Sequence, residues 1–78
     1  MSTILRGGKY RFFFFSNERG EPRHIHVESG DNYAKFWLEP LDLAKSVGYK
    51  DIELVEIRKL IQENIIILKA SWDAYFGS

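Results

Sequence analysis

The hydrophobic period of the chain changes near its middle. Through residue 38, apolar and polar residues alternate in short runs broken by turn-forming residues. Beyond residue 50, apolar positions recur every three or four residues. The first pattern predicts strands and the second predicts helix. Residues 3–6 are β-prone and precede Gly7-Gly8, a pair suited to the positive φ values of a tight hairpin turn. Residues 9–15 read as a second strand, and residues 16–23 (SNERGEPR) as a polar loop. Pro22 restricts Glu21 to extended backbone, which favours entry into a third strand at residues 24–28. Residues 29–32 (SGDN) form a turn, and residues 33–38 a fourth strand that Pro40 stops.

The pairing of these strands follows from their faces. A hairpin around SGDN pairs Val27 with Ala34, His26 with Lys35, Ile25 with Phe36 and His24 with Trp37. A one-residue slip would place histidines among core residues, so this register is favoured. Extended to the second strand, it sets Phe14 beside Ile25, Phe12 beside Val27, Phe13 beside His26 and Arg11 beside Glu28.

The second half carries one apolar stripe: Leu54, Ile57, Leu60, Ile61, Ile65, Leu68, Trp72, Tyr75 and Phe76. Asp51 is the expected N-cap, Glu53 suits the first turn, and Gly77 ends the pattern. Asn64 lies near the stripe and marks a potential break into two helices. The connecting residues 41–49 (LDLAKSVGY) fit either one or two helical turns ended by Gly48 or an irregular edge segment, and the helical turns are favoured. The expected fold class is α+β: an antiparallel meander of three to four strands with a long C-terminal helix on one face. A single domain spanning residues 1–78 follows from the length.

That arrangement divides the sheet into two chemically different faces. Tyr10, Phe12, Phe14, Ile25, Val27, Ala34, Phe36 and Leu38 point toward the helix. Arg11, Phe13, Phe15, His24, His26, Glu28, Tyr33, Lys35 and Trp37 point the other way, onto a face expected to be open. Four aromatic rings, two imidazoles, two cations and a carboxylate thus share one surface.

Composition limits what such a surface does. The chain has no cysteine, so disulfides and thiolate metal sites are excluded, and a reducing, cytoplasmic setting is expected. No apolar run approaches the roughly 20 residues of a membrane span, and no signal peptide is evident, so no membrane partner is expected. The formal net charge is zero, which removes any global cationic field for nucleic acid. Residues 1–38 carry six Lys and Arg against four Asp and Glu, while residues 39–78 carry five against seven.

Three readings of the outer face remain open. His24, His26 and Glu28 stand at i, i+2 and i+4, a set of metal-ligand types spread over roughly 13 Å of strand. A regular strand does not converge the first and third of these, so no metal or cofactor is expected. The second reading is metal-free RNA cleavage, which needs a base, an acid and a cation for the phosphate. His24, His26, Lys35 and Arg11 are the candidate catalytic residues. Lys35 would lower the pKa of His26 and Glu28 would raise it. Phe13, Phe15, Glu28, Tyr33 and Trp37 are candidate binding residues, the rings serving to stack bases. The third reading is a protein interface, which the same residue types also favour, and a homodimer seam is one form of it. Residue types weigh interface above nuclease and leave open whether the chain is an enzyme.

The segments GKYRFFFFSNE, EPRHIHVE, AKFWLEP and the tail IRKLIQEN followed by W-x-A-Y-F resemble a small bacterial family, domain of unknown function 4160. The resemblance covers nearly the whole chain. His-x-His-Val after Glu-Pro, with the later Ala-Lys-x-Trp-Leu, carries it. Members often read Glu-Pro-Pro-His; here Arg23 replaces the second proline, adding a charge at the strand entry and removing a rigid residue from the loop. The resemblance implies one half of a two-gene pair of the toxin–antitoxin type, with a small cognate protein as partner and RNA as a further candidate. It assigns no catalytic residue; His24, His26, Lys35 and Trp37 match motif positions only.

Overall fold

The computed structural model describes residues 2–77. Five strands form one antiparallel sheet in sequence order: β1 (Ser2–Gly7), β2 (Tyr10–Phe14), β3 (His24–Ser29), β4 (Asn32–Leu38) and β5 (Leu41–Val47). Two helices follow, α1 (Asp51–Glu63) and α2 (Ile65–Phe76). The α+β class and the meander are as expected, with one strand more than the most anticipated and two helices in place of one long helix.

The central register agrees with the facial argument. His24 pairs with Trp37, Ile25 with Phe36, His26 with Lys35 and Val27 with Ala34. Across β2 and β3, Arg11 lies opposite Glu28, Phe12 opposite Val27 and Phe13 opposite His26. The inward set is buried throughout and meets Ile57, Ile61, Leu68, Trp72 and Phe76 from the helices. Phe14 is the hub at one end, with ring centroids 5.4 Å from Trp72, 5.3 Å from Tyr75 and 5.4 Å from Phe76. Burying each such ring contributes roughly 1.5–3 kcal/mol.

Residues 41–47 correct the expectation of helical turns. They form β5, paired with β4 from Leu38↔Leu41 to Tyr33↔Val47. A register shift between Lys35 and Phe36 accounts for the misleading pattern. Leu41 and Leu43 pack against the core before the irregularity, and the alternation is out of step after it. The resulting spacing of Leu41, Ala44 and Val47 imitates a helical stripe. Gly48 ends this strand rather than a helix; its φ is +86°, and a Cβ there would collide with the Asn32 side chain.

The helical stripe is divided at Asn64, whose side-chain amide donates to Leu60 O at 2.8 Å and whose backbone N–H donates to Ile61 O at 3.1 Å. Asn64 thus closes α1 and opens α2. Asp51 is not the N-cap: Lys50 holds that position with extended backbone, and Glu53 Oε1 accepts its backbone N–H at 2.9 Å. Gly77, left-handed at φ +74°, ends α2 as the pattern predicts. No helix among the described residues is long and apolar enough to cross a membrane.

Candidate functional site

The outer face of the sheet is not open where the histidines lie. The loop between β2 and β3, residues 16–23, brings Glu18 onto that face beside them. Glu18 Oε1 accepts the Phe15 backbone N–H at 2.8 Å, and the Glu21 N–H bonds Glu18 O at 3.2 Å. At the far end of the loop, Arg23 Nε and Nη2 donate to the two carboxylate oxygens of Asp73 on α2 at 2.8 and 2.7 Å. Arg23 therefore ties the strand entry to α2.

Glu18 Oε2 is the centre of the site. It lies 2.6 Å from His24 Nε2 and 2.7 Å from His26 Nε2. The second nitrogen of each ring is also engaged: His24 Nδ1 with Pro22 O at 2.9 Å, and His26 Nδ1 with the Tyr33 hydroxyl at 2.7 Å. His24, His26 and Glu18 are 0%, 3% and 7% exposed. The rings expected to stack bases enclose the imidazoles instead. His24 contacts Trp72 and Trp37 at centroid distances of 4.7 and 5.6 Å. His26 stacks between Phe13 and Tyr33 at 5.4 and 5.7 Å, with Phe15 edge-on at 4.7 Å. Phe13 is only 2% exposed, which corrects its placement on an open face; Phe15, at 39%, rims the site.

Burial and hydrogen bonding act in opposite directions here. Burial alone would raise the Glu18 pKa, but hydrogen bonds from both histidines and from the Phe15 N–H hold it below the ordinary carboxylate value. Burial pushes the His26 pKa below its ordinary value, opposed by Glu18 and reinforced by the neighbouring His24 and Lys35 charges. Lys35 acts in the expected direction, but the carboxylate that opposes it is Glu18, not Glu28. Burial raises the Tyr33 hydroxyl.

The other candidates do not join this cluster. Glu28 accepts from Arg11 Nε at 2.8 Å, Arg11 Nη1 reaches Thr3 Oγ1 at 2.7 Å, and the guanidinium lies 4.3 Å above the Phe13 ring. Lys35 Nζ lies 3.3 Å from Glu21 Oε1 and 4.5 Å over the Trp37 ring. Arg11, Lys35 and the two histidines therefore do not converge on one solvent-facing point. The metal-ligand set read from the strand, His24, His26 and Glu28, is replaced by Glu18, His24 and His26, whose ligand atoms all lie within 4.8 Å of one another. Hydrophobic periodicity gives no sign of Glu18. Its only signal was an acidic residue in a polar loop, six and eight positions before the histidines.

Fold and site define a small α+β domain with a buried carboxylate–imidazole network closed by a loop. The chain belongs to the family described as domain of unknown function 4160, whose model matches residues 10–73. No curated protein and no solved structure matches the chain.

Proposed function

We propose that this domain is a non-enzymatic interaction module that docks a small protein partner against the outer face of α2. One observation carries the reading: that face is uncharged and, apart from Ser71, apolar. Ile66 and Ile67 are 76% and 56% exposed, Tyr75 is 45% exposed, and Ala70 and Ala74 lie between them. The two charged residues of α2 are engaged elsewhere, Asp73 with Arg23 and Lys69 with Glu39 at 3.5 Å. An ordinary surface helix turns its charges outward and its apolar residues inward, so this arrangement marks a contact surface.

The face ends at a pocket of about 320 Å³ lined by Ser16, Arg19, Ala74, Tyr75, Phe76 and Gly77. Among the described residues, no hydrogen bond or ion pair engages the Arg19 side chain. An amphipathic helix with an acidic residue near one end has the complementary chemistry. A two-gene pair of the toxin–antitoxin type is the setting that the family resemblance suggests, and a partner-binding face supports the binding half of that idea. Histidine-catalysed RNA cleavage is not supported by this geometry, because every imidazole nitrogen of His24 and His26 is already hydrogen-bonded and shielded from solvent.

The test is co-purification with the product of the neighbouring gene, followed by sedimentation of wild type, Ile66→Asp and Ala70→Asp. A complex is expected for the wild type and its loss in both variants, with melting temperatures unchanged because both side chains face solvent. A complex indifferent to both substitutions, or self-association of the chain alone through this face, would overturn the reading.

A further inference from the structure

We propose that Glu18, His24 and His26 form a binding site for a divalent transition-metal ion, with zinc the best match, through Glu18 Oε2 and the Nε2 atom of each histidine. This site is separate from the α2 face and stands independently of the docking proposal.

The first support is convergence. Three atoms that carry lone pairs meet at one buried point, with Glu18 Oε2 2.6 and 2.7 Å from the two Nε2 atoms. Two imidazoles and one carboxylate are donors suited to zinc, nickel, cobalt or ferrous iron, and the absence of thiolates leaves no softer competitor.

The second support is the surrounding shell. Ligating histidines use their other ring nitrogen in a hydrogen bond that fixes ring orientation and tautomer. Pro22 O can only accept, so His24 Nδ1 must carry the donated proton, which leaves Nε2 as the nitrogen that binds an ion once the proton shared with Glu18 is displaced. The Tyr33 hydroxyl orients His26 in the same way, through Nδ1. Glu18 is held by its other oxygen, which accepts the Phe15 N–H. Each of the three ligands thus has a partner outside the cluster that aims it inward.

The third support is proton accounting. Without an ion, each short Oε2···Nε2 contact needs a shared proton. With the His24 Nδ1 proton committed to Pro22, one of these protons must make a buried imidazolium or a buried carboxylic acid. A divalent cation displaces the surplus proton to solvent, the proton of His26 moves to Nδ1 where it is donated to the Tyr33 hydroxyl, and all three inward lone pairs bind the ion. Zinc bonds of about 2.0–2.2 Å place tetrahedral ligand atoms about 3.3 Å apart. The two hydrogen-bonded contacts must therefore widen by roughly 0.6–0.7 Å to admit the ion. A water molecule would fill the remaining coordination position.

The experiment uses the full chain, stripped with a chelator and titrated with zinc chloride by calorimetry at neutral pH in two buffers of different ionisation enthalpy. One ion per chain is expected, with proton release and a melting temperature that rises with free zinc. Glu18→Gln should weaken binding by more than about 10-fold and remove the thermal shift. Tyr33→Phe, which changes an aiming group on a half-buried ring, should weaken it by about 10-fold with the fold retained. Cobalt(II) should give visible d–d absorption in the wild type and none in Glu18→Gln. Absence of stoichiometric binding, uptake without proton release, or an affinity unchanged in both variants would overturn the proposal. Should Glu18→Gln fail to fold, the wild-type stoichiometry and the Tyr33→Phe affinity decide it.

Discussion

Replacing Glu18 by alanine tests whether the loop is held down by its carboxylate. The substitution removes an acceptor that serves three donors: the Phe15 N–H at 2.8 Å, His24 at 2.6 Å and His26 at 2.7 Å. Its side chain is 8% exposed, and the His24 side chain is 0% exposed, so water does not already solvate these groups. An unsatisfied buried donor costs about 1–3 kcal/mol. Removing one member of a buried charged pair costs about 3–5 kcal/mol, because the remaining partner is left buried and uncompensated. For a domain of this size each kcal/mol lowers Tm by about 4–8 °C, so a fall of at least about 12 °C is expected. Glu18→Gln keeps the shape and one acceptor, so it should fall between wild type and alanine. The assay is urea denaturation of metal-free protein followed by tryptophan fluorescence, because Trp37 and Trp72 both flank His24. A loss below about 1 kcal/mol for Glu18→Ala would refute the reasoning. It would mean that the loop stands open in solution and that the histidines face solvent after all.

Three further outcomes follow from the same structure. In metal-free protein, stability should fall with acid in two stages. The His26 pKa is lowered on folding, so its contribution is complete above its ordinary value of 6.5 and is lost as pH drops below it. Glu18 is lowered likewise, and its contribution is lost below its ordinary 4.5; denaturation across pH checks both. Adjacent phenylalanines on the outer face should behave differently. Phe13→Ala should cost about 3–5 kcal/mol, whereas Phe15→Ala, 39% exposed at the rim, should cost clearly less in the same urea assay. Gly48→Ala should lose at least about 1–2 kcal/mol, because φ is +86° and the new methyl meets the Asn32 side chain; a neutral effect would show that the β5 exit is not as tight as described.

The site was only half legible along the chain. His24 and His26 stood out because alternation placed both on one face with Phe13, and the pairing of His26 with Lys35 followed from the hairpin. Their burial did not follow. Alternation states which residues share a face, but it is silent on whether a loop folds back across that face. Glu18 is separated from β3 by residues that follow neither hydrophobic period, so no periodic signal could place it. The same limit hid β5. A register irregularity displaced its alternation by one residue, and the displaced pattern matched the helical period better than the strand period.

The sequence by itself determined the two faces of the central strands, their register, the inward-facing residues of the sheet and the stop at Gly77, and it marked Asn64 as a potential break. These features depend on interactions between near neighbours and on the exclusion of polar groups from the core, both of which leave a period or a punctuation mark in the chain. Only the tertiary structure decided that the face rich in histidine is closed, that Glu18 joins the two imidazoles, and that Asp73 anchors the loop through Arg23 across 50 positions. Those contacts link residues far apart in sequence through specific hydrogen bonds, and a single polar residue in a loop carries no mark of the partner it will meet.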